Sequence, residues 1–191
     1  MPGRRAKDTT SRRYAGFGHG LLQAAAAIAL AGASLWLAFA PAHAVDAVNV
    51  RTDVPAIDLT LATERPKTET DRVQVSTAPG PDGIVRRIEV RGRESGNSWA
   101  VFALANTGDE QIDRLLVAPH FRLAGSGLFW PDLGATRVAN VTPSQGFAPD
   151  RQLNAESDVF RVTLDPGAVV TYVAELSSGE LPQLYMWDAD T

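Results

Sequence analysis

Beyond about residue 57 the chain is a succession of short β-rich runs, each cut off by turn chemistry, and this punctuation constrains its fold more than any other feature. Ile84–Val90 follows Pro79-Gly80-Pro81-Asp82-Gly83 and stops near Gly92. Trp99–Leu104 stops at Asn106-Thr107-Gly108-Asp109, Ile112–Val117 at Pro119, and Thr136–Val141 at Pro143. Asp165-Pro166-Gly167 parts Asp158–Leu164 from Ala168–Leu176, and Gln183–Trp187 closes the series. Weaker runs at Ile57–Leu61 and Arg72–Ser76 come first. Strand-length segments at near-regular spacing with Gly, Pro and Asn between them predict an all-β sandwich or barrel of about eight to nine strands, mainly antiparallel. No segment past residue 44 keeps a helical period over ten residues, so little helix is expected there.

Two runs sharpen this. Phe160, Val162 and Leu164 alternate with Arg161 and Thr163, the pattern of a strand with one face on a core and one in water. Trp99–Leu104 is apolar on both faces and reads as a central strand, with Trp99 and Phe102 in the core. Asp165-Pro166-Gly167 has the residues of a tight turn and is expected to be a hairpin tip between the last long strands.

The first 44 residues follow a different rule. A basic start (Arg4, Arg5, Lys7, Arg12, Arg13) leads into the apolar run Leu21–Ala40, then Pro41-Ala42-His43-Ala44. Basic region, apolar region and small residues at Ala42 and Ala44 describe a secretory signal peptide cut between Ala44 and Val45. The rival reading is an uncleaved helical anchor, since about 20 apolar residues span a bilayer. Either way the remainder is exported and periplasmic or otherwise extracytoplasmic. The organisation expected is 1–44 signal or anchor, 45–56 linker, and 57–190 one β-sandwich domain.

Charge and composition remove whole classes of function. After residue 44 there are 13 basic and 21 acidic side chains, an acidic body that repels phosphate backbones and argues against nucleic acid. The chain has no cysteine, which excludes disulfides, thiolate nucleophiles and Cys-ligated metal. His120 is the one histidine past residue 44, so no His cluster offers a metal site, and no cofactor is expected.

Trp99-x-x-Phe102-x-Leu104-x-Asn106, Phe160-x-Val162-x-Leu164-x-Pro166-Gly167, Thr171-Tyr172 and Leu176-Ser177-Ser178 together resemble one family. It is the extracellular β-sandwich sensor domain found ahead of bacterial seven-transmembrane receptors with diverse intracellular signalling modules. The resemblance runs from about Ile57 to Asp190. It implies a jelly-roll-like sandwich that binds carbohydrate or a similar small ligand. It also implies a membrane helix bundle and a cytoplasmic output, often a cyclic di-GMP synthase or phosphodiesterase. Thr191 falls where the family's first membrane helix would begin, so the chain is read either as the front of a receptor or as a free-standing relative.

Candidate ligand contacts fall in the long irregular stretch around Leu123–Gly134. Phe129 and Trp130 offer flat faces for the C–H side of a sugar ring, with Asp132, Arg137 and Asn140 as hydrogen-bonding partners. The competing reading has Phe129 and Trp130 folded back as a plug. His120 could be a base or pH sensor, or simply a strand-end histidine with a satisfied hydrogen bond. Leu184 and Met186 alternate with Tyr185 and Trp187, so one pair faces the core and the other is surface. Arg87, Arg91 and Arg93, with Glu89 between them, read as a solvated, ion-paired face. The acids Asp109, Glu110, Asp113, Asp132, Asp150, Glu156 and Asp158 leave a two-carboxylate hydrolase as a minor alternative. Ser126 lacks the frame of a nucleophile elbow. The expectation is a non-catalytic sensing domain; the second reading is a free periplasmic carbohydrate-binding or assembly module.

Overall fold

A computed structural model describes residues 43–93, 98–123, 125–127, 129–131, 137–177, 181 and 183–190, with backbone alone for 121–123 and 129–131. The strands are β1 (Ala47–Asn49), β2 (Ala56–Asp58), β3 (Arg72–Ser76), β4 (Arg87–Arg91), β5 (Ser98–Ala105), β6 (Ile112–Pro119), β7 (Phe121–Leu123), β8 (Phe129–Pro131), β9 (Val138–Pro143), β10 (Asp150–Gln152), β11 (Ser157–Leu164), β12 (Val169–Leu176) and β13 (Tyr185–Asp188). The first sheet has the order β1-β5-β12-β9 and the second β10-β11-β6-β13-β2. Two ribbons, β3-β4 and β7-β8, complete the set. All-β and sandwich-like are therefore correct, and the pairing is antiparallel apart from β1, which runs parallel to β5.

The expected strand number matches the nine strands of the two larger sheets. Other details differ. Within the stretch 45–56, expected as a linker, Ala47–Asn49 pairs with β5, and Val45 and Val50 on either side are buried. β8 lies in the stretch expected to be irregular, and β7 and β10, like it three residues long, lie outside every expected run. Runs that short have too little periodicity to stand out from loop.

Alternation builds the core between the two sheets. Ala100, Phe102 and Leu104 of β5 and Val170, Tyr172, Ala174 and Leu176 of β12 face Leu116, Phe160, Val162, Leu164 and Met186 from the second sheet. Phe102 and Tyr172 are cross-strand partners and stack at 5.4 Å, 14° from parallel. Burial pushes the Tyr172 phenol up to about 12, so the ring stays neutral throughout the physiological range.

The opposite face of the first sheet is also dry. Trp99, Val101, Ala103 and Val173 pack beneath Val73 and Val90 of the β3-β4 ribbon, with Val75 and Ile88 alongside. This explains a β5 that is apolar on both sides. The ribbon's other face is wet: Arg72 pairs with Glu89 at 3.0 Å and Arg91 with Asp71 at 2.7 Å. The Gln74 amide, then the Arg72 guanidinium, hold the Glu89 carboxyl below its ordinary range. Arg87, Arg91 and Arg93 are thus exposed as expected, with Arg91 ion-paired to Asp71.

Asp165-Pro166-Gly167 is not a hairpin tip. β11 and β12 lie in different sheets, so the turn arches across the core, with Gly167 at φ 70°. Both strands have their edges occupied by other partners, β11 by β10 and β6 and β12 by β5 and β9, so neither can pair with the other. The turn after β5 arches likewise to β6, and Asn106 ties the two arches together. Its buried amide donates to Glu110 O (2.7 Å) and Leu164 O (3.0 Å), its Oδ1 accepts from Gly108 N–H (3.0 Å), and its own N–H donates to Ala168 O (2.9 Å).

Removing that side chain takes a partner from backbone groups in both arches, the buried Leu164 O among them. Asn106→Ala should lower unfolding free energy by about 2–3 kcal/mol, read from urea denaturation. The neighbouring exposed Thr107→Ala should change it by less than about 0.5 kcal/mol.

Candidate ligand-binding surfaces

The sandwich has two unlike ends. At one, the arches cluster where β5 and β11 finish and β6 and β12 begin. β13 also runs towards this end, from Tyr185 opposite Val117 to Asp188 opposite Arg114. At the far end β6 finishes at Pro119, and the β7-β8 ribbon starts two residues later. Phe129 pairs with Leu123 and Trp130 with Arg122 in this ribbon. Their side chains and Asp132 lie outside the described residues.

Arg137 and Asn140 reach the same end on the first sheet's edge strand. Asn140 sits opposite Glu175 of β12, across a bulge that accommodates the extra residue Ala139. Arg137 is exposed, and its carbonyl accepts from the Ser177 N–H at 2.9 Å. The two polar candidates are therefore neighbours at one strand end. β8 leads into that strand by chain connection, so four of the five predicted residues share one end by topology.

What fixes β9 there is an ion pair reaching across from the second sheet. Asp158 of β11 is buried; it accepts from the Arg151 guanidinium at 2.6 Å and from the Val138 N–H at 3.0 Å. Arg151 of β10 donates to Ala139 O at 3.3 Å and lies over the Phe160 ring at 5.2 Å. Together they occupy backbone groups of an edge strand that would otherwise invite another chain.

His120, between β6 and β7, is buried, with Nε2 3.0 Å from Ala155 O. That bond is one a strand-end histidine would make. Leu184 and Met186 are in the core, while Tyr185 is half-buried and Trp187 is 45% exposed, beside half-buried Leu115 on β6. Of the acids, Asp158 is committed to the clamp, and Asp113 accepts from Thr163 at 2.6 Å. Among the described residues no three His, Asp or Glu are grouped to hold a metal.

Sequence reasoning missed a cleft of about 440 Å³. It opens between the β3-β4 turn, with Thr77, Asp82 and Arg86, and the margin of the first sheet, with Ser144, Gln145 and Val169. The available signal was Asp82 four residues before Arg86 in a Pro- and Gly-rich turn. The Arg86 guanidinium and the Ile84 N–H hold the Asp82 carboxyl below its ordinary range. A smaller cleft of about 270 Å³ lies at the arch end, beside Arg51, Asp53, Asn106 and Asp109.

Asp158→Ala strands Arg151 and frees the Val138 N–H. Because Arg151 is partly exposed, a loss of about 2–3 kcal/mol is expected in urea denaturation, below the cost for a fully buried pair. Arg151→Ala should cost at least as much, since it leaves the buried Asp158 carboxylate without its counter-ion.

Residues 87–188, just over half of the chain, match the family described as 7TMR-DISM extracellular 2. The match takes in β4 to β13 and therefore most of both sheets and both arches. No curated protein and no solved structure matches the chain. The motif residues that carry the resemblance have structural work in this fold: Trp99, Phe102, Leu104, Phe160, Val162, Leu164 and Tyr172 build its two cores, and Asn106 ties the arches. The chain belongs to the 7TMR-DISM extracellular 2 family, the extracytoplasmic sensor domains of membrane-anchored receptors.

Proposed function

We propose that this domain senses a small carbohydrate-like ligand at its β7-β8 end and passes the event to a membrane helix bundle and a cytoplasmic signalling enzyme. The domain itself is non-catalytic in this reading. The observation that supports it is the opposition of the two ends: Arg137 and Asn140 lie at the end where β6 finishes and the chain enters the β7-β8 ribbon, while β13 runs to the other end. Input and output are then separated along the length of the sandwich.

Phe129 and Trp130 supply flat apolar surface for a sugar ring, and Asp132, Arg137 and Asn140 supply donors and acceptors for its hydroxyls. Signalling requires more than binding. The ligand must prefer one arrangement of the ribbon against the sheets over another, and the shift it produces is limited by that difference in affinity. The paired, dry β5 and β12 favour movement of the short ribbon over deformation of the sheet, because packed interiors deform poorly.

The test is a glycan array probed with the native protein and with Trp130→Ala. A ring at the centre of the contact makes the variant weaker by about 1–3 kcal/mol. Unchanged binding would make Trp130 part of the scaffold and remove the far end as the sensing site. In a receptor carrying the same substitution, signal output should fall at matched ligand concentration.

A further inference from the structure

The cleft between the β3-β4 turn and the margin of the first sheet lies away from the β7-β8 end and is left unused by the sensing site. Its volume, about 440 Å³, falls within the range of small-molecule pockets, roughly 300–1,000 Å³. Its chemistry is specific. Thr77 Oγ1 accepts from the Arg86 N–H at 3.0 Å and keeps its own proton to donate. Ser144 Oγ accepts from the Thr171 N–H at 3.1 Å and does the same. Gln145 Nε2 donates to Val169 O at 3.0 Å, which leaves its Oε1 as an acceptor. Each polar group is thus fixed by one bond to the protein and has another to offer.

The Asp82–Arg86 pair completes the set. Arg86 donates to both carboxylate oxygens of Asp82 and to Ile84 O at 3.3 Å, so the pair is held flat against its own turn. The turn is shaped for it. Gly83 has φ 72°, and a Cβ on Gly80 would stand 2.8 Å from Asp82 Oδ1 and 3.1 Å from Arg86 Nη1. Because the two charges cancel, the cleft carries donors and acceptors without net charge, beside apolar Pro81, Ile88 and Val169. A carboxylate or an ammonium ligand would have to break the pair. A ring with several neutral hydroxyls would meet both partners at once.

We propose that this cleft is a second binding site, for a neutral polyhydroxylated molecule of monosaccharide size. Bound there, the molecule bridges the β3-β4 turn and the chain just after β9, each of which bonds Thr171 of β12. This site is distinct from the one proposed at the β7-β8 end, so either can fail alone.

The experiment is isothermal titration calorimetry on the full chain with a panel of hexoses, pentoses and hexitols, and acetate as an anionic control. At least one panel member should bind. Arg86→Ala and Gln145→Ala, both at exposed positions, should each weaken it at least fivefold, with thermal melts matching the native chain. Arg86→Lys, which keeps the charge but loses the planar fork, should weaken it as well, and Trp130→Ala should leave it unchanged. Three results would each overturn the proposal: no member of the panel binds, Arg86→Ala binds like the native chain, or acetate binds better than every polyol. Loss of binding in Trp130→Ala alone would place the sugar at the far end and leave this cleft empty.

Discussion

The β5–β12 pair is buried on both faces, and the rest of the molecule is arranged around that constraint. One side of the pair requires a facing sheet, supplied by β6, β11 and β13. The other would expose Trp99, Val101, Ala103 and Val173 to water, and the β3-β4 ribbon covers them. At about 25 cal/mol for each Å² of apolar surface removed from water, leaving a tryptophan and two valines uncovered would cost several kcal/mol, comparable with the net stability of a small domain. The ribbon is therefore an integral third layer, and the polar cleft is the seam where its turn meets the sheet.

Much of this was legible in the sequence, and the failures share a cause. Side-chain alternation at Phe160–Leu164 and double-sided apolarity at Trp99–Leu104 report burial directly, so the long strands and the core could be read. Which strand pairs with which is set by contacts distant in sequence. Asp165-Pro166-Gly167 has the residues of a tight turn whether it closes a hairpin or arches over a core, and only the partner strands decide. β1, β7, β8 and β10 owe their strand character to neighbours rather than to their own three residues. The same limit applies to function. His120 and the Leu184–Trp187 alternation were readable because each has a local signature. Asp158 looked like one acid among many, and the Arg151 that gives it meaning lies on a strand invisible to periodicity. The cleft's Ser144 and Gln145 come together with Asp82 and Arg86 only through the fold.

The proposed sensing role calls for a division of labour along the sandwich. An extracytoplasmic sensor needs a surface free to recognise and a body stiff enough to transmit. The stiff body is the doubly buried pair with its two arches tied through Asn106. Asp158 and Arg151 hold β9 against the second sheet, so the strand that presents Arg137 and Asn140 is anchored to both layers. In the proposed reading, binding energy gained at that strand reaches the core through backbone bonds rather than through a flexible loop.

Native-state hydrogen exchange followed residue by residue tests the central claim most directly, because local openings and global unfolding separate there. The amides of Val101–Leu104 and Tyr172–Ala174 should be the slowest in the protein and exchange only by global unfolding. The β3-β4 ribbon should be protected well beyond surface turns such as Asp165–Gly167. Exchange at β5 as fast as in those turns, with β13 outlasting it, would contradict a structure organised around a pair of strands dry on both sides.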